Sequence, residues 1–404
     1  MNSVGVIIIV VLAVAAIILG IWGYRRWRYV DSLRKRGWTF ETSPSISSVV
    51  GLNHAPFGAG FEREVDDMVS GTASNGMAFR ALEYDYDGWR SNHYVVWFPL
   101  PKSLPMLYVR NASRPSTIPG LPRGAELTLG GYSVLGASED YARRVGGAVA
   151  GLMPELGHHE VSVDHANVVV FDVPEDVEAL ARAVEVGSRI AKAVVEASDA
   201  DAAAPAPRHL SFNHRPHWGY LPRADDWLGR VPYTRGGRAH EAHDIVHGTD
   251  HGISFVRLEH RWKTDHRDKD GKTTTRNHRE YLCQYQLGFP FQALDLGSNI
   301  LGIGNSRSGI QFESAEFNDA YKVTAADGKF ASDVLHPRMM EWLLRHGAPR
   351  ISIRNNGLLR VPGGDWSVQE LEATTSLLLQ FFGRVPDFVW QNLGAWPRPV
   401  PEAE

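Results

Sequence analysis

Histidine supplies the densest chemistry in this sequence. There are 17 histidines, and His240, His243, His247 and His251 fall within one stretch of twelve residues. Neutral imidazoles are common ligands of zinc, copper and nickel, and three or four of them close a site. The run His240-Glu-Ala-His243 is not the metalloprotease H-E-x-x-H, whose histidines stand four apart on a helix. On a strand, His243 and His247 share a face and His240 points the other way. The expectation is zinc held by His243, His247 and His251, weighed against a solvated polar strand face that needs no ion. His93 and His278, each at the start of a strand, read as structural.

Other candidates are weaker. Asp66, Asp67, Asp85 and Asp87 have the chemistry for acid–base work or calcium, but Tyr84-Asp-Tyr-Asp-Gly88 lacks the spacing of a calcium loop. A charged hairpin turn accounts for it. His336-Pro337-Arg338 either faces a pocket or simply opens a helix, with proline in its first turn and a Met/Trp/Leu core face. Leu301-Gly-Ile-Gly-Asn-Ser-Arg307 lacks both the third glycine and the Gly-Lys-Ser/Thr of phosphate loops. There is no Gly-x-Ser-x-Gly elbow and no kinase motif set, so catalytic residues stay unassigned. Cys283 is the sole cysteine, which excludes an intramolecular disulfide, and its mid-strand place favours burial over reactivity. A net charge of −4 gives no reason to expect nucleic acid, and 43% hydrophobic with 22% charged residues is an ordinary globular composition.

The elements around these residues begin with an apolar run. Val4 to Trp22 contains no charge, and as a helix it would span roughly 28 Å, close to the hydrocarbon thickness of a bilayer. Trp22, Tyr24, Arg25, Arg26, Trp27 and Arg28 follow, as aromatic and basic residues do at a membrane interface. Arg34, Lys35 and Arg36 add to the basic excess after the run, and no cation precedes it. The positive-inside rule then predicts a single-pass plasma-membrane protein, its short N-terminus outside and its body cytoplasmic. The lipid bilayer, anionic headgroups and an unidentified protein are the expected partners.

The rest of the chain repeats itself. Trp38-Thr-Phe40 recurs as Trp218-Gly-Tyr220, and Asp67-Met-Val-Ser-Gly-Thr72 as Asp244-Ile-Val-His-Gly-Thr249. Phe79 to Glu83 matches Phe255 to Glu259 in type, and Val161-Ser-Val163 recurs as Ile351-Ser-Ile353. The order is kept throughout. Each copy reads as aromatic and β-branched strands, then a helix, a short strand pair and a closing helix, which is α+β with antiparallel sheet. The expected division is an anchor at 1–24, a basic collar at 25–35, one module at 36–199, an Ala/Pro linker at 200–212, a second module at 213–394 and a Pro-rich tail at 395–404. In the second copy a charged hairpin loop from Thr264 to Lys272 turns at Asp270-Gly271, and Ser367 with Glu370 makes a capping box.

Phe317-Asn318, Tyr321-Lys-Val323, Asp327, Ala331, Val334-Leu335, Pro337, Met339-Met340 and Leu343-Leu344 together resemble the signature of a domain-of-unknown-function family of actinobacterial membrane proteins. The resemblance covers about 240–390. It implies an anchored module and supplies no activity. Without a catalytic signature, the sequence favours a non-catalytic binding or scaffold module at the inner membrane face. The alternative is an enzyme with scattered residues, metal-dependent through His240 to His251.

Overall fold

The computed structural model describes residues 3–87, 89–90, 93–121, 124–198, 200–267, 272–298, 309–347, 350–361 and 363–403, and of these it leaves the side chains of 3–11, 15 and 298 undescribed. The chain divides into two compact units, Met1–Pro216 and His217–Glu404.

The first unit runs α1 (Ser3–Lys35), β1 (Thr39–Glu41), β2 (Glu64–Thr72), β3 (Ala78–Tyr86), β4 (Trp89–Arg90), β5 (Tyr94–Pro99), β6 (Leu107–Asn111), β7 (Ala125–Leu129), β8 (Tyr132–Gly136), α2 (Glu139–Leu156), β9 (Val161–Asp164), β10 (Asn167–Val173) and α3 (Val177–Ala197). Its sheet is antiparallel, in the order β1-β2-β3-β5-β10-β9-β6-β8-β7, with β4 beside β3. Strands β5 and β10 have apolar residues at consecutive positions because both faces are covered. Tyr94, Val96 and Phe98 point into a core with α2 and α3, while Val95 and Trp97 point into a second core with Val49, Leu52 and Phe57. Ser138 caps α2 by accepting from the Tyr141 N–H, and Asp176 caps α3 by accepting from Glu178 and Ala179.

The second unit contains β11 (Gly219–Arg223), β12 (Arg238–Asp250), β13 (Ile253–Arg267), β14 (Thr273–Leu287), β15 (Leu294–Ser298), α4 (Ala315–Ala320), β16 (Tyr321–Ala325), α5 (Gly328–Val334), α6 (Pro337–His346), β17 (Ile351–Ile353), β18 (Leu358–Arg360), α7 (Val368–Gly383) and α8 (Asp387–Asn392). The sheet order is β11-β12-β13-β14-β18-β17-β15-β16, again antiparallel. Position for position this is the order of the first unit with β4 and β7 left out. Ser367 caps α7 as a capping box would, but Glu370 reaches past it to the N–H groups of Gly364 (2.7 Å) and Trp366 (2.8 Å). The residues from Phe317 to Leu343 that carry the family resemblance are mostly core: Phe317, Val323, Ala331, Val334, Met339 and Leu343 are buried. Asn318 bonds both backbone groups of Phe312, and Tyr321 donates to the Leu343 carbonyl.

The start of the chain requires a correction. The expected transmembrane anchor, and the single-pass plasma-membrane placement with a cytoplasmic body that depended on it, do not stand. Among the described residues no helix is long and apolar enough to cross a membrane. The described side chains of α1 begin only at Leu12, and the helix soon reaches Arg25, Arg26 and Arg28. Nine of the nineteen residues from Val4 to Trp22 lie outside the described side chains. The helix then continues into the first unit, where Leu33 is buried and Tyr29 packs edge-on against Phe40.

Residues 200–212 lie within the first unit: Ala203 donates its N–H to Ser103, and Phe212 is buried beneath the Arg63 guanidinium. The Pro-rich end packs on the second unit, with Val400 buried and the Ala403 N–H on the Gly383 carbonyl. The turn at Asp270-Gly271 and the Gly-x-Gly run from Leu301 to Arg307 lie outside the described residues.

Candidate functional site

The three histidines expected to hold zinc are not brought together. Asp244 sits at φ 48°, in a bulge of β12 where the register against β13 shifts. His243 therefore pairs with Glu259 and His247 with Val256, an odd separation that places the two imidazoles on opposite faces. His243 bonds Glu241 at 3.0 Å, and His247 packs against the Trp227 ring at 4.8 Å. His251 is exposed in the turn after β12. No group of three or more metal-capable side chains among the described residues includes any of them. A bulge is a one-residue backbone event, and strict alternation cannot foresee it.

His240 has the partner that alternation denied it. Its Nδ1 lies 2.9 Å from Nε2 of His260, whose Nδ1 lies 3.0 Å from Glu280 Oε1. A carboxylate only accepts, so His260 donates from Nδ1, and a neutral His260 accepts from His240 at Nε2. His260 is fully buried, with Tyr233 and Trp262 against its ring. Burial works to raise the Glu280 carboxyl, but hydrogen bonds from His260 and Arg235 outweigh it and hold the group below its ordinary value. His278 stacks on Trp262 and bonds Thr264, and His93 bonds Asp172 at 2.5 Å.

The residues expected at a membrane interface divide. Trp22, Tyr24 and Trp27 are exposed, as are Arg25 and Arg28. Arg26 instead turns inward, donating to Asp67 and lying 4.5 Å over the Phe40 ring. Asp67 is buried at a second bulge, the counterpart of the one at Asp244.

A broad recess lies in the second unit. It measures about 900 Å³ and forms where α7 ends, the chain turns at Val385-Pro386 into α8, and the tail returns alongside α6. Arg338, Arg345, Arg384 and Arg398 border it with His336 and His346; Glu341, Asp387 and Glu402 are its acids. Arg398 is matched by Asp387 and, at 3.7 Å, by Glu402. Among the described residues Arg338 and Arg345 have no ion-pair partner. Burial first, and then the charge of Arg345, lowers the pKa of Arg384, so the charge there is unfavourably placed. That guanidinium lies 4.8 Å over Trp342, which is 3% exposed and stacks on His346. The Trp342 Nε1 has no hydrogen-bond partner among the described residues. Phe388 stays 46% exposed at the edge. Basic groups, an aromatic floor and an unused indole donor can take up an anionic group attached to an apolar body.

His336 and Arg338, which helix-start chemistry explained in the sequence, thus line the recess. The other members come from α7, α8 and the tail, segments far apart in sequence. Cys283 has its thiol pushed far up by burial, which argues against a nucleophilic role.

No protein-family model matches the chain, and no curated protein matches it. A solved structure, that of the mycobacterial trehalose monomycolate transport factor A, TtfA, is similar in part. It is 15% identical, with a TM-score of 0.29, over 44% of this chain and 96% of that one. A TM-score that low leaves the folds without a common frame, and nothing about this chain follows from it.

Proposed function

We propose that this chain is a non-catalytic binding protein and that the α6–α8 recess is its recognition site for an amphiphilic anion. Such a ligand joins a carboxylate, sulfonate or phosphate group to an apolar or aromatic body. The observation that carries the reading is the buried Trp342 indole, unpartnered at Nε1 among the described residues, in a recess where Arg338 and Arg345 form no ion pair with a described residue. An orphaned buried donor is unfavourable by about 1–3 kcal/mol, which an acceptor on the ligand would recover. Arginine pairs with planar oxyanions through two parallel hydrogen bonds, a contact that Arg338 and Arg345 at the rim can offer. The recess has no nucleophile–base pair among its described lining residues, in keeping with binding rather than catalysis.

The test is a fluorescence titration of the full chain with 8-anilinonaphthalene-1-sulfonate, a sulfonate on an aromatic body. Saturable binding that weakens on adding salt, and by at least about tenfold in the Arg338→Glu/Arg345→Glu chain, is the expected result. Equal binding by the two chains would exclude the recess.

A further inference from the structure

We propose that His54, Asp164 and His165 form a binding site for one divalent transition-metal ion, zinc by preference, in the first unit and independent of the recess in the second. The three donors come from two distant segments. Asp164 ends β9, His165 follows it in the turn to β10, and His54 belongs to the loop after the 3-10 turn Ile46–Val49. One ligand atom from each lies within 4.8 Å of the other two.

Asp164 organises the group. Its side chain is 1% exposed, and Oδ2 is already held by the backbone N–H groups of Asn53 (2.8 Å) and His54 (2.9 Å). Oδ1 is left facing both imidazoles, with His165 Nδ1 at 2.8 Å and His54 Nδ1 at 3.6 Å. Around a tetrahedral zinc with bonds near 2.0–2.1 Å, neighbouring donors stand roughly 3.3 Å apart, and the two distances bracket that value. The rings lie 4.6 Å apart, 16% and 14% exposed, so an ion has a short path from solvent. His54 Nδ1 is also 3.3 Å from the Val163 carbonyl, a contact the ion would displace.

Hydrogen bonding by itself does not require this arrangement. One imidazole satisfies Oδ1, and the second ring is packed beside the first against the same oxygen. His165 takes the left-handed conformation (φ 51°) of the two-residue turn between β9 and β10, and there it contacts Asp164. Two imidazoles and a carboxylate are borderline donors that suit zinc, cobalt and nickel over calcium or magnesium, and they leave a fourth position for water. The backbone N–H groups on Oδ2 fix the carboxylate's orientation, as outer-shell groups do in metal sites.

The experiment uses the full chain stripped with chelator and titrated with zinc by calorimetry, then with cobalt(II) by visible absorption. The expected result is one ion per chain, ligand-field bands of a low-coordinate cobalt site, and loss of both in His54→Ala and in His165→Gly. Glycine is chosen because it accepts the positive φ without strain, so that variant keeps its turn. His243→Ala and His247→Ala should bind as the wild type does. Sub-stoichiometric zinc, absent cobalt bands in the wild type, or retention of the ion by either ligand variant overturns the site. Absent cobalt bands in the wild type overturn the site even where a variant does not fold.

Discussion

The indole of Trp38 covers Gly71 so closely that a Cβ there would stand 2.3 Å from its Cδ1. In the second unit Trp218 covers Gly248 in the same way, at 2.4 Å. Each indole also meets a phenylalanine edge-on, Phe79 at 4.9 Å and Phe255 at 4.7 Å. Both glycines are therefore required by close approach rather than by turn geometry. Gly71→Ala and Gly248→Ala should each destabilise the protein by about 1–3 kcal/mol through overpacking, measured by chemical denaturation. Unchanged midpoints would show that the indoles move aside freely.

Arg26 and Asp67 make the second prediction. Removing the guanidinium leaves a carboxylate of 8% exposure without that partner, at a cost of about 1–3 kcal/mol. Arg26→Ala should therefore be destabilising. Adding Asp67→Asn, which suits the positive φ, should recover part of the loss. Strict additivity of the two changes would mean that the groups do not interact.

Much of the fold is legible in local pattern, and the reasons are physical. The unbroken apolar run from Tyr94 to Phe98 specifies a strand buried on both faces, and Ser138, Asp176 and Ser367 mark helix starts through the N–H groups they satisfy. The α+β class with antiparallel sheets follows from such signals. The paired Trp and Gly positions fall on β1 with β2 and on β11 with β12, adjacent strands in each sheet. What alternation cannot see is a bulge. Asp244 reverses the faces assigned to His243 and His247, and it dissolves the expected zinc set. Sites made by distant segments are equally hidden: His54 meets Asp164 across 110 residues, and Arg338 shares a recess with Phe388. The apolar opening run satisfied a length and charge rule, yet among the described residues no helix meets the requirement for crossing a membrane.

The chain Glu280–His260–His240 gives a pH prediction. The folded Glu280 carboxyl titrates below its ordinary value, so its stabilisation is complete above the unfolded pKa of about 4.3 and is lost as pH falls through the lower folded value. Glu280→Gln should be less stable than the wild type at neutral pH, and the gap should narrow as the solution is acidified below about pH 4. A gap of constant size across that range would show that the charge contributes nothing.

Cys283 offers a probe of opening. Burial pushes its thiol well above the ordinary value, which leaves almost no thiolate at neutral pH. Labelling with a disulfide reagent should be slow in the native chain and should accelerate with denaturant in step with unfolding. Cys283 is half-buried and borders a recess with Tyr233 and Arg360, so rapid native labelling would show that its thiol is not held protonated.

The recess is tested most directly at the Trp342 indole N–H. In a proton–nitrogen correlation spectrum, with the resonance assigned by Trp342→Phe, titration with 8-anilinonaphthalene-1-sulfonate should move the Trp342 indole signal saturably, and Arg338→Glu/Arg345→Glu should abolish the shift. A stationary Trp342 signal while the anion binds elsewhere would contradict the account.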